Sequence, residues 1–392
     1  MNYFLNRAKE LEQELIAMRR ELHSYAELGF DLPKTNAFVT EKLRSYGYEP
    51  KTVGKAGVTC TVGKGGKVLL LRADMDALPM PEESGMPYAA QNGHCHSCGH
   101  DCHTAMLLIA AKMLKEKEGE LKGTVKFMFQ PAEELLAGAA AMVEDGILEN
   151  PKVDVALGLH ISVGMDDTRS GIIRYIPGVA NNSGDAIRIS IQGHGVHGSK
   201  AYLGVDAINI AAHTIIALQE ILALEIPSTQ PAVVLVGKME GGSSCNSVAD
   251  TASLEISVRT NSVETRNFLK KRIKEIAESV ASTYRGTATV EHMYGMPPLV
   301  NDPDFAREMG RYAAEMLPQG DVEEIGPSGG GEDFAVVGEK VPGAMIYLGV
   351  GSTAEGYCHP GHDPKMKVNE EALYVGSATY AQCAVRYLEE NC

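Results

Sequence analysis

Short apolar runs that alternate with helical patterns are the feature that most constrains the fold of this chain. Four runs are bounded by glycine, proline or turn residues: KVLLLRA (67–73), GTVKFMFQ (123–130), DVALGLH (154–160) and AMIYLGV (344–350). Their length and apolar character predict buried strands. Residues 104–119, between the first two runs, have helical periodicity. Strands that alternate with helices predict an α/β fold with a mostly parallel sheet covered by helices on both faces.

The segment from residue 184 to residue 295 follows a different order. It predicts a strand, a helix, two strands, a helix and a final strand, which is the pattern of a ferredoxin-like α+β unit. The pattern is self-contained and interrupts the α/β part of the chain. We therefore expect an inserted second domain at 184–295, and a first domain built from 1–183 together with 296–392.

Charge and composition argue against several classes of partner. The 392 residues carry a formal net charge of −15, which argues against nucleic acid and against an anionic membrane surface. Residues 1–25 carry charges throughout, so they predict an amphipathic helix and not a signal peptide. No continuous run of about 18 apolar residues occurs. A cytoplasmic location is the simplest expectation, and eight cysteines in such a chain do not indicate a disulfide framework.

The segment GHCHSCGHDCHT (93–104) concentrates histidine and cysteine. By itself it fits a zinc knuckle as well as one wall of a catalytic metal site. Further candidate ligands lie at the predicted carboxyl ends of strands or just before a helix, where α/β sheets place their functional loops. The candidates are Asp74, Asp76, Cys98, His100, Glu133, Glu134, His160 and His362.

Ligands that converge from separate strand ends favour a catalytic site, since a zinc knuckle would draw its ligands from one short segment. Two ions about 3.5–4 Å apart can share a bridging hydroxide and polarise a carbonyl together. Such a site also needs an unliganded base that takes a proton from water, and the adjacent residues Glu133 and Glu134 could divide these tasks. Thiolate and imidazole ligands are compatible with zinc, manganese, nickel or cobalt, and the residues do not select one of them.

Several blocks of the sequence match one enzyme family. The two most specific blocks are CGHDCHTAML (98–107) and QPAEE (130–134). Supporting blocks are RRELHSYAELGF (19–30), RADMDALP (72–79), GLH (158–160), GHGVHGSKAYLGVDAI (193–208), CNSVADTASLEISVRT (245–260) and HDPKMKVNEEAL (362–373). In these blocks the chain resembles the amidohydrolase branch of the aminoacylase-like metallopeptidases, which includes hippurate hydrolase, N-acyl-L-amino-acid amidohydrolase and the indole-acetyl-amino-acid hydrolases.

The resemblance implies a catalytic domain with an inserted lid or dimerisation domain, two divalent metal ions per subunit, and a homodimer or higher homo-oligomer. The metal ligands that it implies are Cys98, His100, Glu134, His160 and His362. It implies that Glu133 is the general base and that His197 stabilises the tetrahedral oxyanion. The residues implied to support the ligands are Asp76, Asp101 and His103. Asn246 and Arg259 lie in motifs associated with holding the substrate carboxylate and backbone.

Three functions compete on these grounds. The favoured hypothesis is an amidase that removes the acyl group from an N-acyl amino acid or a related small amide. A dipeptidase or aminopeptidase is the alternative, because the same metal centre could support it. A protein that stores or senses zinc is disfavoured, because it would leave Glu133 without a task. The residues do not reveal the acyl group.

Overall fold

The computed structural model describes residues 2–327 and 330–392. The described chain divides into two compact units. The first comprises residues 2–180, 300–327 and 333–392, and the second comprises residues 181–299 and 330–332. The division thus falls at 181 and 299, whereas the sequence pattern places the boundaries of the insertion at 184 and 295.

The first unit contains most of the helices and one large sheet. Its helices are α1 (Tyr3–Glu10), α2 (Glu12–Tyr25), α3 (Pro33–Ser45), α4 (His100–Glu116) and α5 (Gly138–Glu144). Its strands up to the second unit are β1 (Lys51–Val53), β2 (Gly57–Gly63), β3 (Val68–Asp74), β4 (Thr124–Gln130), β5 (Val155–Ser162) and β6 (Ile173–Tyr175), followed by β7 (Gly178–Asn181) at the boundary.

The second unit contains six regular elements, which are β8 (Gly184–Gln192), α6 (Ala207–Glu220), β9 (Ala232–Gly241), β10 (Thr251–Thr260), α7 (Val263–Thr283) and β11 (Thr287–Met296). A π-helical turn, Ile221–Glu225, extends α6. The chain then continues through β12 (Leu299–Asn301), α8 (Pro303–Ala314), β13 (Val322–Glu324), α9 (Ala335–Gly338), β14 (Gly343–Gly349) and α10 (Leu373–Asn391).

The large sheet has the strand order β1-β2-β4-β3-β5-β14-β6-β13. Its central strands β4, β3, β5 and β14 are parallel, while β1, β2 and β6 are joined to their neighbours towards the centre by antiparallel ladders. Every residue of β3 and β4 is buried, as expected for parallel strands covered on both faces. The predicted α/β class with a mostly parallel sheet is therefore confirmed.

The register of the parallel ladders determines which residues meet at one edge of the sheet. Asp74, the last residue of β3, pairs with Gln130, the last residue of β4. His160 pairs with Tyr347 of β14 near the carboxyl end of β5. The segments that follow these strands consequently start from the same edge, and this edge carries the candidate site.

Two helix boundaries differ from the sequence prediction. Residues 1–25 predict one helix, but the structure has α1 and α2 with a break at Leu11. The helix predicted to start at Thr104 begins at His100, because Gly99 adopts a φ of +90° and turns the chain directly into it. The imidazoles of His100 and His103 consequently lie in the first turn of α4.

The second unit is a four-stranded antiparallel sheet with the order β11-β8-β10-β9, on which α6 and α7 pack. Its apolar core includes Ile189, Leu254 and Leu269, all fully buried. This order and the β-α-β-β-α-β connection confirm the predicted ferredoxin-like pattern. The segment Ala207–Glu225 is long and apolar enough to cross a membrane by length and composition alone, a property that core helices share. In this unit, its residue Leu218 belongs to the buried core.

A buried carboxylate joins three elements of the second unit. The side chain of Asp185, in β8, accepts two hydrogen bonds from the Arg266 guanidinium of α7, each at 2.7 Å. The Nε2 atom of His292, in β11, lies 2.6 Å from Asp185 Oδ1. Burial of Asp185 opposes its ionisation, but the hydrogen bonds from Arg266 and His292 lower its pKa below the usual value.

Candidate metal centre

Six side chains predicted as ligands or base lie together at the carboxyl edge of the large sheet. They form three overlapping groups in which the donor atoms lie within 4.8 Å of one another. The groups are Cys98–His100–His160, His100–Glu133–Glu134 and Cys98–Glu134–His362. Because the groups share Cys98, His100 and Glu134, the six side chains form one continuous cluster.

Apart from one thiol–imidazole contact, the distances within the cluster are too long for hydrogen bonds and leave space for a shared cation. Cys98 Sγ lies 3.5 Å from His160 Nε2. His100 Nε2 lies 3.9 Å from Glu133 Oε2 and 3.9 Å from Glu134 Oε1. His362 Nε2 is 3.5 Å from the same Glu134 oxygen. Metal–ligand bonds to imidazole and carboxylate are about 2 Å long, so donors spaced in this way can surround an ion.

The tautomers of two imidazoles follow from their backbone contacts. His100 Nδ1 lies 2.8 Å from the carbonyl oxygen of Asp76, and His160 Nδ1 lies 2.6 Å from the carbonyl oxygen of Ile161. A carbonyl oxygen can only accept, so Nδ1 carries the proton in both rings. The Nε2 lone pair of each ring therefore faces the cluster. A hydrogen bond from the other ring nitrogen to a carbonyl oxygen is usual for a metal-binding histidine.

Two buried donor atoms in the cluster have no hydrogen-bond partner within the described part of the chain. They are Nε2 of His100 and Oε1 of Glu134. Buried polar atoms are nearly always satisfied, so a lone pair on each of two neighbouring residues indicates a bound group that is a Lewis acid. Burial raises the pKa of the Cys98 thiol, and a coordinated cation reverses this effect by stabilising the thiolate. The donor set therefore fits divalent metal ions.

Asp76 orients the two adjacent glutamates of the cluster. Its Oδ1 accepts the backbone N–H of Glu133 at 3.0 Å, and its Oδ2 accepts the backbone N–H of Glu134 at 3.2 Å. The preceding residue, Ala132, has a φ of +53°, so the chain turns sharply after β4. One buried carboxylate thus fixes the direction in which both glutamates leave the turn.

His103 lies beneath the cluster and is held at both nitrogens. Its Nε2 accepts the backbone N–H of Ile161 at 2.9 Å, so Nδ1 carries the proton and donates it to Asp74 Oδ1 at 2.6 Å. Asp74 Oδ2 in turn accepts a hydrogen bond of 2.7 Å from the buried guanidinium of Arg72. This chain of contacts fixes the backbone next to His160.

Asp74 and Arg72 have no role in the set that the family resemblance implies. The position of Asp74 at the end of a strand marks it as a candidate site residue. An arginine within a strand gives no sign in the sequence that its side chain will be fully buried.

Asp101, expected to support the ligands, forms an ion pair with Arg19 of α2. His362 has a φ of +67°, a strained conformation that is enriched at functional sites.

The remaining histidines and cysteines of the segment 93–104, and also His359, lie outside the three groups. His94 Nδ1 donates to the carbonyl oxygen of Ala26 at 3.1 Å. His96 is buried, and burial lowers its pKa to about 3. Cys95 and Cys102 are buried thiols. His359 Nδ1 contacts Asp363 at 2.9 Å.

The candidate residues of the second unit occupy adjacent loops and one strand. His197 forms a bridge with Ser247, and the N–H of Gly198 donates to the carbonyl oxygen of Asn246 at 2.8 Å. The side chains of His197 and Asn246 are exposed. The structure therefore brings these two residues together. Arg259 lies in β10 with an exposed side chain.

The protonation of His197 also follows from its contacts. The backbone N–H of Ser199 donates to His197 Nδ1 at 3.2 Å, and the Ser199 hydroxyl lies 2.8 Å from the same atom. Because Nδ1 accepts a hydrogen bond, the proton of the neutral ring is on Nε2. His197 therefore presents an N–H donor to the outside of its loop.

An α/β sheet with imidazole, thiol and carboxylate donors at its carboxyl edge, together with a ferredoxin-like unit, defines a two-unit protein with a metal centre. The sequence profile of Peptidase family M20/M25/M40 matches residues 70–386. The chain belongs to this family, which confirms the resemblance drawn from its motifs.

Individual proteins show the same relationship. N-acetyl-L-cysteine deacetylase of Bacillus subtilis (strain 168) is 36% identical over 385 residues, which cover 97% of this chain and 90% of that protein. A dinuclear metal-binding peptidase of Bacillus subtilis has a TM-score of 0.81 and 33% identity, and the match covers 97% of this chain and 99% of that one. A structure from methicillin-resistant Staphylococcus aureus has a TM-score of 0.93 and 32% identity, covering 99% of this chain and 100% of that one.

Proposed function

We propose that the protein is a metal-dependent amidohydrolase that cleaves the amide bond of N-acyl amino acids or related small amides. The observation that carries the proposal is the cluster of six side-chain donors. Two of its atoms, His100 Nε2 and Glu134 Oε1, have no hydrogen-bond partner among the described residues. The similarity to an N-acetyl-L-cysteine deacetylase supports an acylated amino acid as the substrate class.

Two divalent ions are proposed at this cluster, in line with the similarity to a dinuclear metal-binding peptidase. The residues that would hold them are Cys98, His100, Glu134, His160 and His362. When bound, such ions polarise an amide carbonyl and lower the pKa of water. The mixed thiolate, imidazole and carboxylate donors are compatible with zinc, manganese, cobalt or nickel.

Glu133 is proposed as the general acid–base. It is buried, and its backbone N–H is held by Asp76 at 3.0 Å. A carboxylate fixed in this way takes a proton from the attacking water and delivers it to the nitrogen of the leaving amine. Asp76 and His103 would support this arrangement by holding the glutamate turn and the backbone at Ile161.

In the second unit, His197 is proposed as the donor that stabilises the tetrahedral oxyanion. The proton on its Nε2 and the exposure of its ring support this role. Asn246 and Arg259 are proposed to bind the substrate carboxylate or backbone. An amide donor and a guanidinium are suited to a carboxylate, which every N-acyl amino acid carries.

A homodimer formed through the second unit is also proposed. Strand β9 is an edge strand of its sheet and carries the exposed apolar residues Val233, Leu235 and Met239. On helix α6, Ile216 is 66% exposed. Natural proteins rarely leave an apolar edge strand uncovered, so pairing with a second copy would protect it. The two units would then act as a catalytic domain and a lid or dimerisation domain.

The expected cytoplasmic location remains a proposal. The thiol of Cys98 is needed in its reduced form as a ligand, and Cys95 and Cys102 lie close to it in sequence. A reducing compartment keeps such thiols free.

A dipeptidase or aminopeptidase is the second candidate, supported by the peptidase among the similar structures. The experiment that separates the two is a panel of N-acyl amino acids and free dipeptides, with the released amine measured for each. Release from N-acyl amino acids in preference to dipeptides supports the amidohydrolase. The opposite preference supports the peptidase, and release from neither contradicts both.

A further inference from the structure

A buried ionic cluster lies between helix α2 and the first turn of α4. Arg19 and His23 are one turn apart on α2, and their side chains are 1% and 2% exposed. Arg19 Nε and His23 Nδ1 each lie 2.7 Å from the same atom, Asp101 Oδ2. Asp101 directly follows His100, so Arg19 and His23 of α2 contact the helical turn that carries a proposed metal ligand.

His23 is enclosed by carboxylates on both sides. Its Nε2 lies 3.0 Å from each oxygen of Glu82, which also accepts the backbone N–H of Ala90 at 2.9 Å. Burial disfavours the imidazolium, but the charge of Asp101 outweighs this effect and the pKa of His23 is raised, with Arg19 opposing. Each ring nitrogen of His23 lies within hydrogen-bond distance of a carboxylate, so His23 links α4 to the loop that contains Glu82 and Ala90.

Arg19 reaches a second segment of the site. Its Nη1 donates to Glu370 Oε1 at 3.1 Å and to the Tyr88 hydroxyl at 2.8 Å. Glu370 lies in the segment that follows His362. The backbone N–H of His362 also donates to the carbonyl oxygen of Ser97 at 2.7 Å. One guanidinium thus joins the two chain segments that carry His100 and His362.

We propose that Arg19 and His23 are positioning residues for the metal centre, which set the separation of the segments bearing His100 and His362. The inference rests on the proposed metal site. A buried ionic cluster adds little net stability over apolar packing, although removal of one partner from it destabilises the fold. Outer contacts that orient metal ligands, by contrast, strongly affect metal affinity.

Arg20 provides a matched control on the same helix. Its guanidinium lies at the surface, where 49% of the side chain is exposed, and its Nη2 is 2.6 Å from Glu370 Oε2. Arg20→Gln therefore removes one of the two arginine contacts to Glu370 and leaves the Asp101 ion pair in place. Arg19→Lys retains a positive charge in the buried position but loses the planar fork that spans Asp101 and Glu370.

The test is the affinity of the metal-free chain for Zn²⁺ alone, measured by competition with a chromophoric chelator. Thermal unfolding of the metal-free variants shows whether they are folded. We expect Arg19→Lys and His23→Gln to lower Zn²⁺ affinity by about 10–100-fold. Because each substitution disturbs a buried ion pair, the metal-free unfolding midpoints should also fall, but unfolding should stay cooperative and lie above the temperature of the binding measurement. Arg20→Gln should bind Zn²⁺ as the wild type does.

Unchanged affinity in folded Arg19→Lys and His23→Gln would overturn the inference, as would an equal loss of affinity in Arg20→Gln. If Arg19→Lys does not fold, His23→Gln alone decides. Loss of the fold in both variants would also overturn it, because the cluster would then hold the domain together and not the ligands. A wild-type chain that fails to bind Zn²⁺ would instead contradict the proposed metal site, and the inference with it.

Discussion

The Sγ atom of Cys98 lies 3.5 Å from Nε2 of His160, although 62 positions separate the two residues in the chain. The first residue precedes α4 and the second lies near the end of β5. Their approach is possible because Gly99 turns the chain into α4 directly above the carboxyl edge of the sheet. We therefore expect the two side chains to share one metal ion.

Cys98→Ala tests this pairing. Loss of a thiolate ligand should lower the bound metal and the hydrolytic rate together, because coordination contributes directly to the affinity of the site. Metal per chain is measured by elemental analysis after dialysis. Cys95→Ala and Cys102→Ala are the controls, since both thiols are buried in the same motif but lie outside the donor groups. An equal loss of metal in Cys95→Ala would show that the motif register is wrong.

Glu133 and Glu134 are adjacent and allow a direct comparison. Glu133→Gln should keep its metal and lose about two to four orders of magnitude in catalytic rate, as expected when a general acid–base is removed. Glu134→Gln should lose metal as well as rate, because Glu134 Oε1 lies 3.9 Å from His100 Nε2 and 3.5 Å from His362 Nε2. Metal loss in Glu133→Gln with full retention in Glu134→Gln would exchange the two roles.

His197→Ala should leave the metal bound and the fold intact, and lower the catalytic rate by roughly two to three orders of magnitude, the range for one oxyanion donor. If His197 acts across a dimer, mixing inactive Glu133→Gln with inactive His197→Ala should restore activity. In such a mixed dimer, one site combines an intact base with an intact histidine. Dimer formation without recovery would place His197 in the site of its own subunit or outside catalysis.

The lowered pKa of Asp185 leads us to expect that the stability of the second unit depends on pH. Its pKa is lowered in the folded state, so the stabilisation that it contributes is complete above the unfolded value of about 3.9 and is lost as the pH falls through the folded pKa. Asp185→Asn should lower the free energy of unfolding by about 3 kcal/mol at neutral pH. The loss should shrink as the pH falls through this window.

Urea denaturation followed by circular dichroism, repeated between neutral and acidic pH, measures this effect. Glu255→Gln is the control, because Glu255 pairs with Arg188 at 2.9 Å in a partly exposed position. This variant should leave the denaturation midpoint unchanged. A constant difference between Asp185→Asn and the wild type at all pH values would contradict the assigned pKa shift.

Much of the fold and of the site could be predicted from the sequence. The apolar runs of β3, β4, β5 and β14 predict the parallel centre of the sheet, because parallel strands are buried on both faces. Site residues that follow such strands, such as Glu133 and Glu134, must meet at one edge. Local order and connectivity are sufficient for these predictions.

Other features depend on long-range burial and gave no local signal. The pattern of residues 1–25 predicts an amphipathic helix, on which a charged residue such as Arg19 is expected to face solvent. The Arg19 side chain is instead 1% exposed, because Asp101 and Glu370 compensate its charge. The start of α4 at His100 depends on the conformation of Gly99, which apolar periodicity does not report. The burial of Arg72 depends likewise on Asp74 and on contacts formed only in the fold.

The measurement that tests the central claim most directly is the release of amine from N-acyl amino acids by the same preparation when metal-loaded, when stripped by a chelator, and when reloaded with divalent metal. We expect release in the loaded chain, its loss on stripping, and its recovery on reloading. Amine release that survives the removal of metal, or no release from any N-acyl amino acid by a chain that binds two ions, would contradict the account.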